Sequence, residues 1–394
     1  MNVKRLLLIL LLISPCTVKA QFPTLSESAE ISVITVGPGK YAYDCFGHSA
    51  FRIKDPSLNL DLAYNYGIYD FDAGGFYWKF SLGIAQYKIA AYDYTRFEQL
   101  YRTEKRWLKE QVLNLNATQK QAIYNALETN RQPQNMYYKY DPFFDNCATK
   151  MRDILRDVLG DSLVFSDSHI VEKASIRDLV DENAFNHLWV DFGIDFALGT
   201  ILDQEATNEI RMYLPDYVFA ALNNATIKTD SMSIPAVKAS NLIYKNDYYE
   251  EHKSTITPTI LFSVISIVII IFTIKDILQR KRARYMDFTV LLITGIFGMV
   301  VVFLWFATYH STTINNLNIL WAFAPNLFVA FYAIKKNPPA WVRSYARFLF
   351  ILLICMSFVW IFQLQVYNIA MLPITLMLGV RYAYLWNSGL TTKS

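Results

Sequence analysis

Long apolar segments fill the C-terminal part of the chain, and they limit the folds open to it more than any other feature. Five of them lie at about residues 256–274, 287–308, 318–334, 346–364 and 368–386. A run of about 20 apolar residues is long enough to cross a bilayer as a helix. The sequence therefore predicts a transmembrane domain with five helices over residues 254–394, which follows a more polar domain over residues 21–253.

The connections between these segments predict their orientation in the membrane. Residues 275–284 contain five Lys and Arg residues and residues 335–347 contain four, whereas the loops at 308–318 and 363–368 contain none. Connections rich in Lys and Arg stay on the cytoplasmic side. We therefore expect a multi-pass protein of the cytoplasmic (inner) membrane, with the polar domain and the loops at 308–318 and 363–368 on the periplasmic side.

The N-terminus predicts export of the polar domain independently. Lys4 and Arg5 precede a short apolar core, and residues 18–20 fit the small-x-small rule for signal cleavage after Ala20. Residues 1–20 are thus expected to be a signal peptide. The net charge of +3 is too small to predict a nucleic-acid partner.

A predicted β-hairpin gathers polar side chains near the start of the exported domain. The stretch FGHSAFRIKDPSLNLDLAYNYG reads as two strands joined by a turn at DPSLN. Because side chains alternate along a strand, four polar residues share one face: His48, Arg52, Asp61 and Asn65. If Ile53 pairs with Leu60, His48 lies directly opposite Asn65 and Arg52 directly opposite Asp61.

Cys147 lies where a helix is expected to begin. Asp145 and Asn146 are good N-cap residues, and apolar positions then recur at helical spacing. A thiol in the first turn of a helix feels the positive end of the helix dipole, which lowers its pKa. A strand His, oriented by an amide, would supply the base that takes the thiol proton. Cys147, His48 and Asn65 are therefore the candidate nucleophile, base and orienting group.

Two other roles for Cys147 remain open on the sequence alone. An exported domain meets an oxidising compartment, so Cys147 and Cys45 are candidates for a disulfide. Cys147 is alternatively a small unreactive residue at a helix start. Cys355 lies within an apolar run and is expected to be a buried, inert thiol.

Five residues are candidate substrate contacts: Arg52, Tyr64, His310, Asn316 and Asn318. His310, Asn316 and Asn318 lie in the external loop at 308–318, where side chains that form hydrogen bonds without formal charge can hold a lipid headgroup. A polar loop beside an aromatic belt is the simpler interpretation of that loop. For Arg52, a cross-strand ion pair with Asp61 is the simpler interpretation.

Several sequence motifs, taken in their order along the chain, resemble those of the Bacteroidetes lipoprotein N-acyltransferase family (Lnb). They are GPG, FGHSAFRI, YNYGIYDF, GGFYWKFSLGIAQYKI and YDPFFDNCATKMRDIL in the exported domain, and TYHSTTINNLNILW in the tail. The chain order His, Asn, Cys is also similar to that of circularly permuted papain-like proteins such as the lecithin:retinol acyltransferase relatives. The resemblance implies an α+β fold, with a circularly permuted papain-like exported domain followed by a five-helix transmembrane domain.

The resemblance also implies a reaction. A membrane phospholipid would pass one acyl chain to Cys147 as a thioester, with His48 as base. The α-amine of the diacylglyceryl-cysteine of a lipoprotein would then accept that chain, so phospholipid and diacylated lipoproteins are the expected partners. No metal or organic cofactor is required. A membrane-bound thiol hydrolase (a cell-wall amidase, a peptidase or a phospholipase) is the alternative, and an exported non-enzymatic module with a disulfide is the third possibility.

Overall fold

The computed structural model describes residues 22–69, 74–246 and 255–387. The predicted signal peptide at 1–20 and the predicted domain boundary at 253/254 lie outside these ranges. Within them, the chain has the predicted α+β composition, with the β-strands before residue 246 and the long apolar helices after residue 257.

The N-terminal domain is built on antiparallel sheets. The strands are β1 Glu30–Val36, β2 His48–Asp55, β3 Leu60–Ile68, β4 Gln86–Asp93, β5 Leu108–Leu113, β6 Tyr137–Lys139, β7 Leu163–Val164, β8 Thr226–Lys228, β9 Ser233–Pro235 and β10 Val237–Tyr244. Seven of them form one sheet in the order β10-β5-β1-β2-β3-β4-β6, and β7-β8-β9 form a second. The hairpin β2-β3 therefore lies at the centre of the larger sheet.

The predicted hairpin is present, but its predicted register was wrong by two residues. Ile53 pairs with Leu62 and not with Leu60. Two more residues separate Ile53 from its partner than predicted, because residues 56–59 form a turn in which the Asp55 side chain accepts a hydrogen bond from the Ser57 N–H and Asn59 adopts a left-handed backbone with φ of 51°. Since the shift is an even number of residues, every side chain keeps its predicted face.

Helices cover both faces of the larger sheet. Those of the N-terminal domain are α1 Phe76–Ser81, α2 Tyr94–Thr103, α3 Ala117–Asn130, α4 Cys147–Leu159, α5 Ile176–Ala184, α6 Leu188–Ala197, α7 Asn208–Arg211 and α8 Pro215–Asn223. On one face, Phe51 and Tyr64 are buried with Met151 of α4 and with residues of α3 and α8. On the other, Ala50 and its neighbours are buried against Phe97 and other residues of α2. The N-terminus of α4 thus reaches the sheet beside β2.

The C-terminal region is helical. Its helices are α9 Pro258–Gln279, α10 Arg284–Phe306, α11 Asn326–Ala333, α12 Trp341–Ile361 and α13 Met371–Asn387. Three of them, α9, α10 and α12, are long and apolar enough to cross a membrane. The described residues thus contain three of the five predicted spans as candidate membrane helices, and the span at α13, with 17 residues, stays a prediction.

The third predicted segment, 318–334, was wrong as a single helix. A turn of 3-10 helix at Leu317–Leu320 is followed by α11, which has only eight residues. Eight residues of α-helix extend about 12 Å, less than half of a hydrocarbon core. Pro325 precedes α11, and because proline has no N–H it interrupts a continuous helical hydrogen-bond ladder.

The two domains meet through buried polar contacts between α6, the segment after it and the external loops. The Gly199 N–H donates to the Thr312 carbonyl at 2.8 Å. Asn316 Nδ2 donates to the Phe196 carbonyl at 2.8 Å, and Asn318 Nδ2 donates to the Asp195 carbonyl at 3.0 Å. These bonds hold the N-terminal domain against the loop at 308–318.

An ion network ties the second external loop to the same place. Arg177 donates to Asp195 Oδ1 at 2.5 Å and to Asp203 Oδ1 at 2.8 Å. The backbone N–H of Val366 also donates to Asp203 Oδ1, at 3.0 Å, and Asn368 Nδ2 donates to Asp195 Oδ2 at 3.1 Å. Both external loops are therefore fixed to one corner of the N-terminal domain.

Candidate active site

His48 and Asn65 meet across the central hairpin. His48 Nε2 lies 2.5 Å from Asn65 Oδ1. Asn65 pairs with Ala50 in the observed register, so it reaches His48 diagonally and not from directly opposite. An amide oxygen only accepts hydrogen bonds, so Nε2 carries the proton and Nδ1 is left for another partner. The amide therefore fixes the imidazole tautomer, as the shared face predicts.

Cys147 is the first residue of α4, and the predicted cap at Asn146 is confirmed. The Asn146 side chain accepts hydrogen bonds from the N–H groups of Ala148 at 2.8 Å and Thr149 at 2.9 Å. Thr149 Oγ1 accepts a hydrogen bond from the Asn146 N–H at 2.8 Å, which completes a capping box. Asn146 Nδ2 also donates to the Tyr213 carbonyl at 2.8 Å. The helix start is therefore held rigidly, and Cys147 with it.

Cys147 and His48 interact with each other, and each changes the pKa of the other. Burial raises the pKa of the Cys147 thiol, but the positive charge of His48, the bond to it and the N–H groups of Ser49 and Ala148 outweigh burial and lower that pKa. Burial opposes protonation of His48, but the charge of Cys147 and the bond to it raise the pKa of the imidazole, with Asn65 acting in the same direction. The arrangement favours a thiolate beside an imidazolium.

Two residues beside the thiol were missed by the sequence analysis. Gly67 has a φ of +87°, and a Cβ there would lie 3.9 Å from Cys147 Cβ and 4.0 Å from Tyr138 Oη. Within the described part of the chain, Tyr138 Oη is buried and its hydroxyl donates to no acceptor. Burial and the charge of Cys147 raise the pKa of Tyr138, so its hydroxyl keeps its proton. The alternating tyrosines of YYKY, just before the Cys147 motif, were the available signal.

All three cysteines among the described residues are free thiols. Cys45 is buried, and its thiol donates to the Ala42 carbonyl at 3.4 Å. Burial and the neighbouring Asp44 raise the pKa of Cys45 to about 12, so this thiol stays protonated. The structure thus does not contain the Cys45–Cys147 disulfide. Cys355 was expected to be buried, but it is exposed on the outer surface of α12, where lipid would surround it.

The two candidate substrate contacts in the hairpin are bonded to other side chains of the protein. Arg52 Nε donates to Asp61 Oδ1 at 2.7 Å, and Arg52 Nη1 donates to Glu110 Oε1 at 3.1 Å. Arg52 is therefore in the simpler ion pair. Tyr64 is fully buried on the opposite face of the sheet, where its hydroxyl donates to Glu128 Oε1 at 2.5 Å. The structure brings neither side chain to Cys147.

The three candidate substrate contacts in the external loop fall into two groups, one buried and one partly exposed. Asn316 and Asn318 are 0% and 1% exposed, and their side chains are used in the contact between the domains. They are thus docking residues and not available to a headgroup, because their amides are already satisfied. His310 is partly exposed and faces the Phe80 ring of α1, with 6.4 Å between ring centroids. His310 therefore stays a candidate lipid contact.

The Asn65 contact predicts a shift in pH dependence. Asn65→Ala removes the acceptor that stabilises the His48 imidazolium, so the pKa of His48 should fall. Because the alkaline limb of a kcat/KM profile would report loss of that proton, we expect the limb to move to lower pH. The pH dependence of kcat/KM from pH 5 to 10 for wild type and Asn65→Ala would measure it, and an unmoved alkaline limb would contradict the orienting role.

Comparison with family models covers most of the chain. The model described as "Lnb N-terminal periplasmic domain" matches residues 23–181, and the model described as "Lnb transmembrane domain" matches residues 250–393. No curated protein and no solved structure matches the chain. The two matches lie in the same order as the sheet domain and the apolar helices. The chain therefore belongs to the Lnb family, and it is a membrane protein with a periplasmic N-terminal domain.

Proposed function

We propose that this protein is a lipoprotein N-acyltransferase that carries the acyl chain as a thioester on Cys147. The observation that carries the proposal is the Cys147–His48 pair, which Asn65 orients at a rigid helix start. Membership of the Lnb family supports acyl transfer as the reaction class. The permuted papain-like relationship of the sheet domain and the inner-membrane, five-span topology belong to the same proposal.

In the first half-reaction the Cys147 thiolate attacks an ester carbonyl of a phospholipid. The new C–S bond forms as the ester C–O bond breaks, and the His48 imidazolium gives its proton to the departing glycerol oxygen. A lysophospholipid leaves, and His48 is then neutral with Asn65 still accepting from Nε2. Neutral Nδ1 faces the thioester and is ready to accept a proton.

In the second half-reaction the α-amine of a diacylated lipoprotein attacks the thioester carbonyl. The C–N bond forms, His48 takes a proton from the amine, and the C–S bond breaks to restore the thiolate beside the imidazolium. The two halves leave the enzyme unchanged, since the proton lost to the first product returns with the second substrate. Water in place of the amine would make the same residues a hydrolase.

Two donors are placed for the negative oxygen of the tetrahedral intermediates. The Cys147 N–H lies in the first turn of α4, where no intrahelical acceptor exists. The Tyr138 hydroxyl is buried near the thiol, protonated and without an acceptor among the described residues. A donor that lacks a partner in the resting site gains one when negative charge develops there. We assign oxyanion stabilisation to these two groups.

Tyr138→Phe tests that assignment with little structural change. The ring and the contact of Lys150 Nζ with it (4.6 Å to the centroid) are retained, and only the hydroxyl is lost. We expect kcat to fall by about 10²-fold, typical for loss of one oxyanion donor, while KM and the melting temperature stay nearly unchanged. Steady-state kinetics would measure kcat and KM separately. A change confined to KM would show that the hydroxyl contacts ground-state substrate instead.

The position of the site supports lipid substrates. Ser311 Oγ of the external loop donates to Asp141 Oδ2 at 2.5 Å, and Asp141 pairs with Asp145 just before Cys147. Lys139 Nζ donates to the Tyr309 carbonyl at 3.2 Å. The segment between Tyr138 and Cys147 therefore rests on the external loop, which begins where α10 ends.

The proposal is tested by supplying purified protein with a defined phospholipid and a synthetic diacylated lipopeptide. Mass spectrometry of both products should show lysophospholipid and a triacylated lipopeptide in equal amounts, with neither formed by Cys147→Ala. Free fatty acid with unchanged lipopeptide would favour the hydrolase. Wild type and Cys147→Ala giving the same unchanged lipopeptide would overturn both.

A further inference from the structure

A group of apolar side chains next to the candidate site is exposed. The fractions are 75% for Tyr77, 62% for Trp78, 47% for Phe80, 39% for Ile84 and 69% for Tyr309. We call these five residues, four aromatic and one aliphatic, the aromatic platform. Tyr and Trp are enriched at membrane–water interfaces, where the ring lies among the headgroups and the polar tip meets water. Exposed apolar groups of this size mark contact surfaces.

The aromatic platform is fixed at the height where a membrane helix ends. The Tyr309 N–H donates to the Leu82 carbonyl at 2.8 Å, so the end of α1 is bonded to the external loop. Gly83 fits closely against this loop, since a Cβ on it would lie 2.8 Å from the backbone nitrogen of His310. Tyr309 follows the last residue of α10, Phe306, by three positions, which is a reach of about 10 Å.

The aromatic platform is also directly connected to the residues around the thiol. Ile84 lies two positions before β4, and β4 pairs with β6 through Tyr87 and Tyr138. The Tyr140 N–H donates to the Ala85 carbonyl at 3.4 Å, and the rings of Tyr87 and Tyr140 stack with 4.2 Å between centroids. A lipid held on the platform would therefore lie beside the strand that carries Tyr138.

Two lysines give this surface the charge that a phospholipid requires. Lys79 is exposed within α1, and Lys139 is exposed beside Tyr309, with Nζ 5.5 Å from the centre of the ring. Ammonium groups at headgroup depth attract lipid phosphate. Exposed aromatic rings together with lysines match the phosphate and ester region of a bilayer better than they match the apolar tails.

We propose that the aromatic platform lies in the headgroup layer of the outer leaflet and holds the donor phospholipid with its ester carbonyl towards Cys147. The membrane contact stands on the exposure and position of α1, whereas the role in presenting the donor rests on the proposed function. The occupant is a phospholipid of the same bilayer that α9, α10 and α12 cross.

The membrane contact is tested by fluorescence in the full-length protein. Trp78→Cys carries an environment-sensitive label in a background where Cys45, Cys147 and Cys355 are replaced by Ala, and the protein is held in phospholipid nanodiscs. Leu58→Cys is the matched control, since Leu58 is 43% exposed at the other end of the β2-β3 hairpin. We expect lipids with a shallow spin label to quench the probe at position 78 and not at 58. Equal, purely aqueous quenching at both positions would overturn the membrane contact.

Donor presentation is tested with Trp78→Asp in the otherwise native chain. We expect acylation of Cys147 from bilayer phospholipid to slow by about tenfold or more, since an interfacial tryptophan is replaced by a charge. Acylation from a short-chain, water-soluble ester should be unchanged, and Trp78→Tyr should retain the bilayer rate. Equal loss with both donors would overturn the presenting role. A wild type that neither donor acylates would overturn the proposed function and leave the fluorescence result standing.

Discussion

Cys147→Ala is expected to lower the rate of lipopeptide acylation by about 10⁴-fold or more, because it removes the only atom to which the acyl chain is bound during transfer. The protein should still fold normally. The Asn146 cap bonds to backbone N–H groups and to Thr149, and none of these contacts involves the thiol. Residual activity should be independent of pH between 6 and 9, since the titrating pair has lost one member.

The matched control is the same change at the buried free thiol, Cys45→Ala. Cys45 contacts the Ala42 carbonyl and has a raised pKa, so its removal should leave acylation within about threefold of wild type. The measurement is acylated lipopeptide per minute for both variants, together with their melting temperatures. Equal losses of activity and stability in both variants would contradict the nucleophile role and favour a disulfide.

Arg177→Met is expected to destabilise the protein by about 3–5 kcal/mol, because it leaves two buried carboxylates without their cation. Arg177 is 1% exposed and is bonded to Asp195 and Asp203. Burial already raises the pKa of Asp195, and the positive charge of Arg177 opposes that rise. Without Arg177, the Asp195 and Asp203 carboxylates that bind the loop at 363–368 lose the cation that fixes them, so acylation from bilayer lipids should slow as well.

Arg211→Met is the matched control for that change. Arg211 is also buried, at 4% exposed, but its guanidinium donates to the carbonyls of Ala206 and Glu172, so its removal leaves no carboxylate behind. Thermal unfolding in detergent and the rate of proteolysis near residue 200 would be measured for both variants. We expect the larger loss, and faster cleavage, for Arg177→Met. Equal losses would show that the network is ordinary packing and does not dock the domains.

The parts of the site geometry that could be predicted from the sequence follow from local rules. The start of α4 follows from the capping chemistry of Asn146, and the shared face of His48 and Asn65 follows from strand alternation. The register was wrong because turn length depends on the conformations of Asp55 and Asn59, which alternation does not determine. The predicted face of each side chain was still correct because the register error was an even number of residues.

The features that could not be predicted depend on contacts distant in sequence. Asn316 and Asn318 look like any polar loop residues until α6, more than 100 positions earlier, is placed against them. Tyr138 gains interest only because Gly67 and Cys147 lie beside it. The third span is a different case, since hydropathy predicted it although a local signal, Pro325, divides that segment into two short helices.

The most direct test of the central claim is the intact mass of the protein after incubation with a phospholipid of one defined acyl chain. We predict an added mass of one acyl group that maps to Cys147 and is removed by neutral hydroxylamine, as a thioester requires. Addition of a diacylated lipopeptide should return the protein to its original mass as triacylated lipopeptide forms. An adduct that persists in Cys147→Ala, or lipopeptide acylation with no adduct at any time, would contradict the account.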